Sequence, residues 1–156
     1  MRVMRVYADT SVFGAIADEE FAEHTRRFFA RLQKGQFLLL VSTELLRELV
    51  HAPEVVRDSL SAVSPHSVET VLVGQEVEAL ADAYIAGGVI GPKYRADAIH
   101  VAAATIARAD LILSWNFKHI VNLDRIGKYN AINVLHGHKP VEIRSPAEVV
   151  YEDEDT

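Results

Sequence analysis

Short apolar runs alternate along this chain with longer segments in which apolar side chains recur at helical spacing. The apolar runs predict five β-strands, over residues 3–8, 37–41, 68–73, 111–113 and 131–135. The segments between them predict α-helices over residues 21–32, 43–50, 54–60, 75–86 and 97–109. Strands that alternate with helices pair in parallel and are covered on both faces. We therefore predict an α/β fold, a three-layer α/β/α domain with a central parallel sheet of about five strands.

The connections and the termini complete this prediction. We expect residues 9–14 to form a loop that turns at Gly14, and residues 117–122 and 145–148 to form short helices. At 156 residues the chain is long enough for one packed core and too short for two ordinary ones, so residues 1–150 are expected to form a single domain. The acidic run over residues 151–156 is expected to be a solvated, disordered tail.

Composition and charge narrow the classes of protein to which the chain can belong. It contains no cysteine, which excludes disulfides and thiolate metal sites. No apolar run approaches the roughly 18 residues that span a bilayer, and the N-terminus lacks the apolar region of a signal peptide. These features predict a soluble, cytoplasmic protein without membrane contact. The net charge of −6 argues against broad electrostatic capture of nucleic acid, so any contact with RNA depends on local basic side chains.

Polar side chains follow three of the predicted strands. Asp9 follows the first, Ser42 the second, and the run from Ser114 through Trp115 to Asn116 the fourth. Because the carboxyl ends of parallel strands meet at one edge of a sheet, these side chains should lie close together. Ligands of such sheets bind at the same edge.

Acidic residues on two helices are expected at this edge as well. Glu44 and Glu48 lie on the helix after the second strand, and Asp97 begins the helix that runs back to the fourth strand. Asp110 differs, because it precedes its strand and should lie roughly 13 Å from the edge, at about 3.3 Å per residue. We therefore exclude Asp110 from the predicted site.

Gathering Asp9, Glu48 and Asp97 in one cleft is costly. Two like charges about 4 Å apart repel by roughly 4 kcal/mol at an effective dielectric constant of about 20. A divalent cation reverses the sign of that interaction. Carboxylate oxygens, without cysteine or paired histidines, favour Mg²⁺ or Mn²⁺ over zinc.

Four segments stand at these positions in order along the chain. They are YADTSVFG around Asp9, VSTELLREL with six positions from Ser42 to Glu48, ADAIHVAAA around Asp97, and LILSWNFKHI at the end of the fourth strand. Together they resemble the PIN-domain nucleases, and among them the VapC-like toxins of toxin–antitoxin pairs. The resemblance spans nearly the whole chain.

The resemblance implies a PIN-like fold and a metal-dependent endoribonuclease in which Asp9, Glu48 and Asp97 are catalytic and bind Mg²⁺ or Mn²⁺. The metal would activate a water for attack on an RNA phosphodiester. The resemblance also implies a homodimer and a small antitoxin protein that inserts a segment into the cleft. Many family members carry a further acid at the last strand end, where this chain has Asn116. An amide oxygen binds a metal more weakly and adds no charge.

Several neighbouring residues have more than one interpretation. Glu44 competes with Glu48 as the ligand, and Thr10, Ser11 and Ser114 are candidates for holding the cation's waters or a phosphate, or for forming turns. Basic side chains flank the expected cleft and are candidate contacts to the RNA backbone; they are Lys93, Arg95, Lys118 and His119.

Two further side chains are also ambiguous. His100, three positions after Asp97, could face the cleft but is expected to pack in the core. Trp115 could stack on a base or belong to the core or a dimer contact.

Three other functions compete with the nuclease. One is a PIN-fold module that binds RNA or protein with weak or no catalysis, because Asn116 replaces an acid. A receiver-like phosphoacceptor needs an acidic pair after the first strand, where Thr10 and Ser11 stand instead. A phosphohydrolase with a D-x-D nucleophile fails at the same place, because Ser11 occupies the position of its second acid.

Overall fold

The computed structural model describes residues 3–149 as a central β-sheet flanked by helices. In that range the five strands are β1 (Met4–Ala8), β2 (Phe37–Ser42), β3 (Val68–Val71), β4 (Leu111–Leu113) and β5 (Glu142–Arg144). The seven α-helices of the same residues are α1 (Thr10–Gly14), α2 (Ala22–Gln33), α3 (Thr43–Leu49), α4 (Glu54–Ser61), α5 (Gln75–Ala86), α6 (Arg95–Ile106) and α7 (Leu123–Leu135).

All neighbouring strands pair in parallel, in the order β3-β2-β1-β4-β5. Alternate residues of β1 face opposite sides of the sheet. Tyr7 packs in a core formed with α5, α6 and α7, whereas Val6 and Ala8 pack in a second core formed with α1 to α4. Each face of the sheet therefore has its own hydrophobic layer, and the predicted three-layer α/β/α architecture is confirmed.

Helix α6 is buried on almost every side, as its apolar composition requires. Every residue from Ala98 to Thr105 is buried. At its C-terminal end, the Arg5 guanidinium donates hydrogen bonds to the carbonyl oxygens of Ala107 (2.9 Å) and Arg108 (3.0 Å). A cation at this end satisfies carbonyls that the helix leaves unpaired. Since Arg5 lies on β1, the strand that leads to Asp9 also holds the far end of α6.

Asp110 lies at the amino edge of the sheet, away from the carboxyl ends of the strands. The Arg5 amide donates to Asp110 Oδ2 (2.8 Å), and the Asp110 amide donates to the Arg5 carbonyl (2.9 Å). The predicted position of Asp110 is confirmed, and its side chain joins β1 to the start of β4.

The predicted strand over residues 131–135 is wrong, because these residues belong to α7. The run AINVL is short and apolar like a strand, but Tyr129 and Asn133, four positions apart, form the buried side of a helix. The fifth strand is β5, in which only Ile143 is buried, between two exposed residues. A three-residue edge strand with one inward side chain is too short for its alternation to be recognised.

Two connections also differ from the prediction. The expected loop over residues 9–14 contains the short helix α1. The expected helix over residues 117–122 is a turn, because the Asn116 carbonyl accepts hydrogen bonds from the amides of Ile120 (3.1 Å) and Val121 (2.8 Å). The short terminal helix is confirmed as a 3-10 turn over Pro146–Glu148.

The predicted acidic tail, residues 151–156, lies outside the described residues, and the extent of the domain stays a prediction. Within residues 3–149, no helix combines the length and apolar character needed to cross a bilayer.

The packing of α7 on α5 generates a test of the corrected assignment. The Tyr84 hydroxyl donates to Asn133 Oδ1 at 2.5 Å, and both side chains are fully buried. We expect Tyr84→Phe to lower the free energy of unfolding by about 1–3 kcal/mol, because it leaves a buried amide oxygen without this donor. Urea unfolding measures the change. Leu135→Ala, at an exposed position of the same helix, should change stability by no more than about 0.5 kcal/mol. Equal effects of the two variants would contradict this packing.

Candidate active site

Asp9 stands immediately after β1 and is almost completely buried, with 3% of its surface exposed. Each of its oxygens accepts a hydrogen bond from a serine hydroxyl: Ser11 Oγ donates to Oδ1 (2.5 Å) and Ser114 Oγ to Oδ2 (2.7 Å). Ser114 lies at the end of β4, the neighbour of β1, and the Asp9 amide donates to the Leu113 carbonyl (3.2 Å). The predicted meeting of the first and fourth strand ends therefore occurs at this carboxylate.

Glu48, on α3, is held by side chains from two other elements. His100 Nε2 lies 2.5 Å from Glu48 Oε1, and the Thr10 hydroxyl donates to Oε2 at 3.0 Å. The ring nitrogen that faces a carboxylate carries the proton, so His100 donates to Glu48. This contact connects the helix of Asp97 with the helix of Glu48.

A buried chain of polar groups continues from His100 into the sheet. His100 Nδ1 lies 2.6 Å from the Tyr7 hydroxyl, which lies 2.7 Å from Ser42 Oγ. Ser42 in turn accepts from the Leu45 amide (3.0 Å) and thereby caps α3. The imidazole is 2% exposed, so its packed position is confirmed. It also contacts Glu48, a predicted site residue, so the expected packing in the core and the alternative of facing the cleft both apply to His100.

Glu44 has a different partner from Glu48. Both of its oxygens accept from the Arg47 guanidinium, at 2.7 and 2.8 Å, one turn along α3. The Glu44 side chain is buried at 7% exposure, whereas the arginine is exposed. The two glutamates are thus separated in role: Arg47 neutralises Glu44, and Glu48 faces His100 and Thr10.

Asp97 lies in the first turn of α6, half-buried, and Asn116 hydrogen-bonds to its side chain. Asn116 Oδ1 already accepts from the His119 amide at 2.9 Å. The amide nitrogen of Asn116 is therefore the atom that faces the carboxylate. In this arrangement Asn116 donates to Asp97, and its expected role as a weak metal contact stays a prediction.

The charges of these residues interact strongly. Burial raises the pKa of the Asp9 carboxyl, and the Asp97 carboxylate raises it further, against the effects of His100 and the two serines. Burial also raises the pKa of Asp97, with a contribution from Glu48. For Glu48 burial acts in the same direction, but hydrogen bonds from His100 and Thr10 outweigh it and lower the pKa. Asp9, Glu48 and Asp97 thus form one electrostatic cluster.

Hard oxygen donors of this kind suit Mg²⁺ or Mn²⁺ chemically. Nevertheless, no three His, Asp or Glu side chains of residues 3–149 are arranged so that they could hold a metal ion. In the described residues both oxygens of Asp9 and of Glu48 face donors of the protein itself.

Comparison with known proteins places this arrangement in a known fold. The chain is similar in structure to VapBC2 from Rickettsia felis, solved bound to a DNA fragment from their promoter (TM-score 0.59, 12% identity, covering 91% of this chain and 98% of that chain). It is also similar to Mycobacterium tuberculosis VapC20, a Sarcin-Ricin loop cleaving toxin (TM-score 0.53, 16% identity, 73% and 92% covered). The chain therefore has a PIN-like α/β/α fold. No protein-family model and no curated protein matches it.

The basic residues expected to contact RNA on this PIN fold differ in accessibility. Lys118 is exposed, and the Lys93 ammonium lies 5.7 Å from the centre of the Tyr94 ring. Arg95 pairs with Asp82 at 2.9 Å. His119 is 8% exposed and packs on Tyr94 with ring centres 3.9 Å apart, so little of it faces solvent.

Trp115 belongs to the core of the PIN fold, and of its two interpretations the structure favours this one. It is 8% exposed, its Nε1 donates to Thr25 Oγ1 (2.9 Å), and it stacks on Phe21 with ring centres 4.2 Å apart. Because the ring is enclosed in this way, neither of its faces is open for stacking on a base.

The structure adds Tyr7, Ser42 and His100 to the residues of the site. For His100 a signal existed in the sequence, because a residue three positions after Asp97 lies on the same side of the helix. For Tyr7 there was none, since its contact with His100 joins residues 93 positions apart.

The buried charge of Asp9 predicts a trade-off between stability and function. Because burial raises its pKa above the unfolded value, the ionised carboxylate destabilises the folded chain once the pH exceeds the unfolded pKa of about 3.9. We expect Asp9→Asn to raise the free energy of unfolding at pH 7 by about 0.5–2 kcal/mol. This gain should vanish below about pH 3.9, where the carboxyl is protonated in both states.

Thermal or urea unfolding in EDTA at the two pH values measures this difference. Asp124→Asn, at an exposed residue paired with Lys128, serves as the matched control and should show little change at either pH. A loss of stability in Asp9→Asn at pH 7 would contradict the electrostatic account.

Proposed function

We propose that this protein is a Mg²⁺- or Mn²⁺-dependent endoribonuclease that hydrolyses phosphodiester bonds at the cluster of Asp9, Glu48 and Asp97. The single observation that carries the proposal is this cluster, in which the pKa values of Asp9 and Asp97 are raised by burial and by repulsion from a neighbouring acid of the cluster. A divalent cation converts that repulsion into attraction. Groups with pKa values perturbed in this way are typical of functional sites.

In the proposed site Asp9, Asp97 and Glu48 would hold the cation after their side chains turn from the present arrangement, which among residues 3–149 does not form a metal site. The cation would supply an activated water and neutralise charge on the phosphate. Glu48 is preferred to Glu44 because Arg47 occupies both oxygens of Glu44. Ser11 and Ser114 orient Asp9, His100 and Thr10 orient Glu48, and Asn116 orients Asp97. Each acid is thus held by a different set of donors.

The partners of the protein are proposed on the same basis. We infer that RNA is the substrate. We also infer that a small antitoxin and a second copy of the chain bind the protein. The VapC-like resemblance implies all three partners. The fold likeness to VapBC2 and VapC20 supports the class of protein, and VapC20 itself cleaves the Sarcin-Ricin loop. A short reading frame immediately upstream of this one would support a paired antitoxin.

The decisive test is cleavage of single-stranded RNA with and without Mn²⁺. We expect cleavage that EDTA abolishes and that Asp97→Asn lowers by about 100-fold or more, because the metal loses a charged ligand. Asp124→Asn, an exposed acid on α7, should retain activity. If the wild-type protein neither cleaves RNA nor changes its melting temperature with either metal, catalysis is ruled out as the function. RNA binding without a metal requirement would instead favour the non-catalytic module.

Asn116 provides a second test, which does not depend on catalysis. In Asn116→Asp a carboxylate replaces the amide that donates to Asp97, so two like charges meet. We expect this variant to melt at a lower temperature than the wild type in EDTA, and to gain more from saturating Mn²⁺. Differential scanning fluorimetry measures both shifts. An equal gain in the two proteins would show that Asn116 lies outside the metal site.

A further inference from the structure

The loop between β4 and α7 places Phe117 directly after two residues whose amides are bonded to the serines of the acid cluster. The Trp115 amide donates to Ser11 Oγ (2.8 Å), and the Asn116 amide donates to Ser114 Oγ (2.9 Å). These are the same two hydroxyls that bind Asp9. Phe117 therefore follows directly on a residue that is bonded to both the Asp9 and the Asp97 sides of the site.

Phe117 is exposed even though its loop is rigidly bonded. The Phe117 amide donates to the Trp115 carbonyl (3.0 Å), and three further amides of the loop donate to Asn116. The side chain nevertheless keeps 47% of its surface in contact with solvent. Its exposure is thus a feature of the folded loop and does not result from missing contacts in the backbone.

Other aromatic rings support Phe117 from the protein side. Its ring centre lies 6.2 Å from that of Phe21 and 6.1 Å from that of Trp115, in tilted and edge-on arrangements. Trp115 is fixed in turn by Thr25 and by stacking on Phe21. Phe117 is accordingly the outermost ring of a three-ring cluster, and Lys118, the next residue, is also exposed.

From these observations we propose that Phe117 is a stacking platform for a base of single-stranded RNA next to the phosphodiester at the acid cluster. The proposal rests on the proposed function and adds a subsite to it. A supported, solvent-facing ring beside a phosphate site suits a nucleobase, because every base has a π-face and the adjacent Lys118 can meet the backbone. The subsite takes over the role that Trp115, being buried, does not fill.

The immediate surroundings favour a base over a protein partner. An apolar docking surface requires a contiguous patch of several hundred square ångströms. Along the chain Phe117 instead stands between the polar Asn116 and the charged Lys118, and its neighbours in space include the rings of Phe21 and the buried Trp115. One planar ring between polar groups matches the alternation of base and phosphate in a nucleic acid strand.

The test compares two strands in EDTA, where a metal-dependent nuclease does not cut. The probes are a fluorescein-labelled oligoadenylate and an abasic ribose-phosphate strand of the same length, and fluorescence anisotropy gives the dissociation constant of each. We expect Phe117→Ala to weaken oligoadenylate binding by about 5- to 150-fold, the effect of one base–aromatic stack, with no change for the abasic strand. Phe117→Trp should retain the affinity, because it keeps a ring.

Two control variants separate stacking from other effects. Leu123→Ala removes an apolar side chain that is 90% exposed at the start of α7, and should leave both affinities unchanged. Lys118→Ala should weaken both strands equally, as a phosphate contact does. The stacking subsite is overturned if the wild type does not prefer the base-bearing strand, or if Phe117→Ala affects both strands alike. It is also overturned if Phe117→Ala binds both strands like the wild type and light scattering shows only a loss of self-association.

Failure of this inference is distinguishable from failure of the proposed function. Mn²⁺-dependent cleavage that persists while Phe117→Ala binds oligoadenylate like the wild type would refute the subsite and leave the nuclease intact. Base-dependent binding without any cleavage would support the subsite in a protein that binds RNA but does not hydrolyse it.

Discussion

Repulsion between carboxylates at one edge of a parallel sheet is the constraint on which this structure depends. Parallel pairing brings the carboxyl ends of β1, β2 and β4 together, so the polar residues that follow those strands lie at the same edge of the sheet. Asp9 lies there at 3% exposure, where water cannot solvate its charge. The neighbouring side chains must therefore compensate, and Ser11 and Ser114 do so through hydrogen bonds to both oxygens of Asp9.

The compensation comes from neutral hydroxyls and one imidazole. Two serine hydroxyls hold Asp9, and His100 holds Glu48 while its other nitrogen is fixed by Tyr7. Burial lowers the pKa of this histidine, but the hydrogen bond to Glu48 and the charge of Asp9 outweigh burial and raise it. The imidazole therefore tends to carry the positive charge that the acids require. In such a site hydrogen bonds from the protein replace water around the acids, and they fix each acid before any ligand binds.

The parts of the fold that could be predicted are those with strong local patterns. Buried strands such as β2 read as unbroken apolar runs, and a short edge strand such as β5, with Ile143 alone facing inward, does not. The acids of the site could be placed because the topology decides which strand ends meet. Their donors could not, since the Ser114–Asp9 bond joins residues 105 positions apart and depends on exact register. Sequence patterns carry no information about such pairs without the folded backbone.

The hydrogen bonds between Arg5 and Asp110 have a consequence for how this site can vary. They fix β1 against β4 at the amino edge, about 13 Å from the acids at 3.3 Å per residue. A slip of one residue would exchange the two faces of β1 and turn Asp9 toward the opposite hydrophobic layer. Because these hydrogen bonds lie before Asp9 in the chain, the segment that follows Asp9 can gain or lose residues without moving the acid. Variation in the length of the loops at this edge of the sheet is thereby uncoupled from the position of the acid.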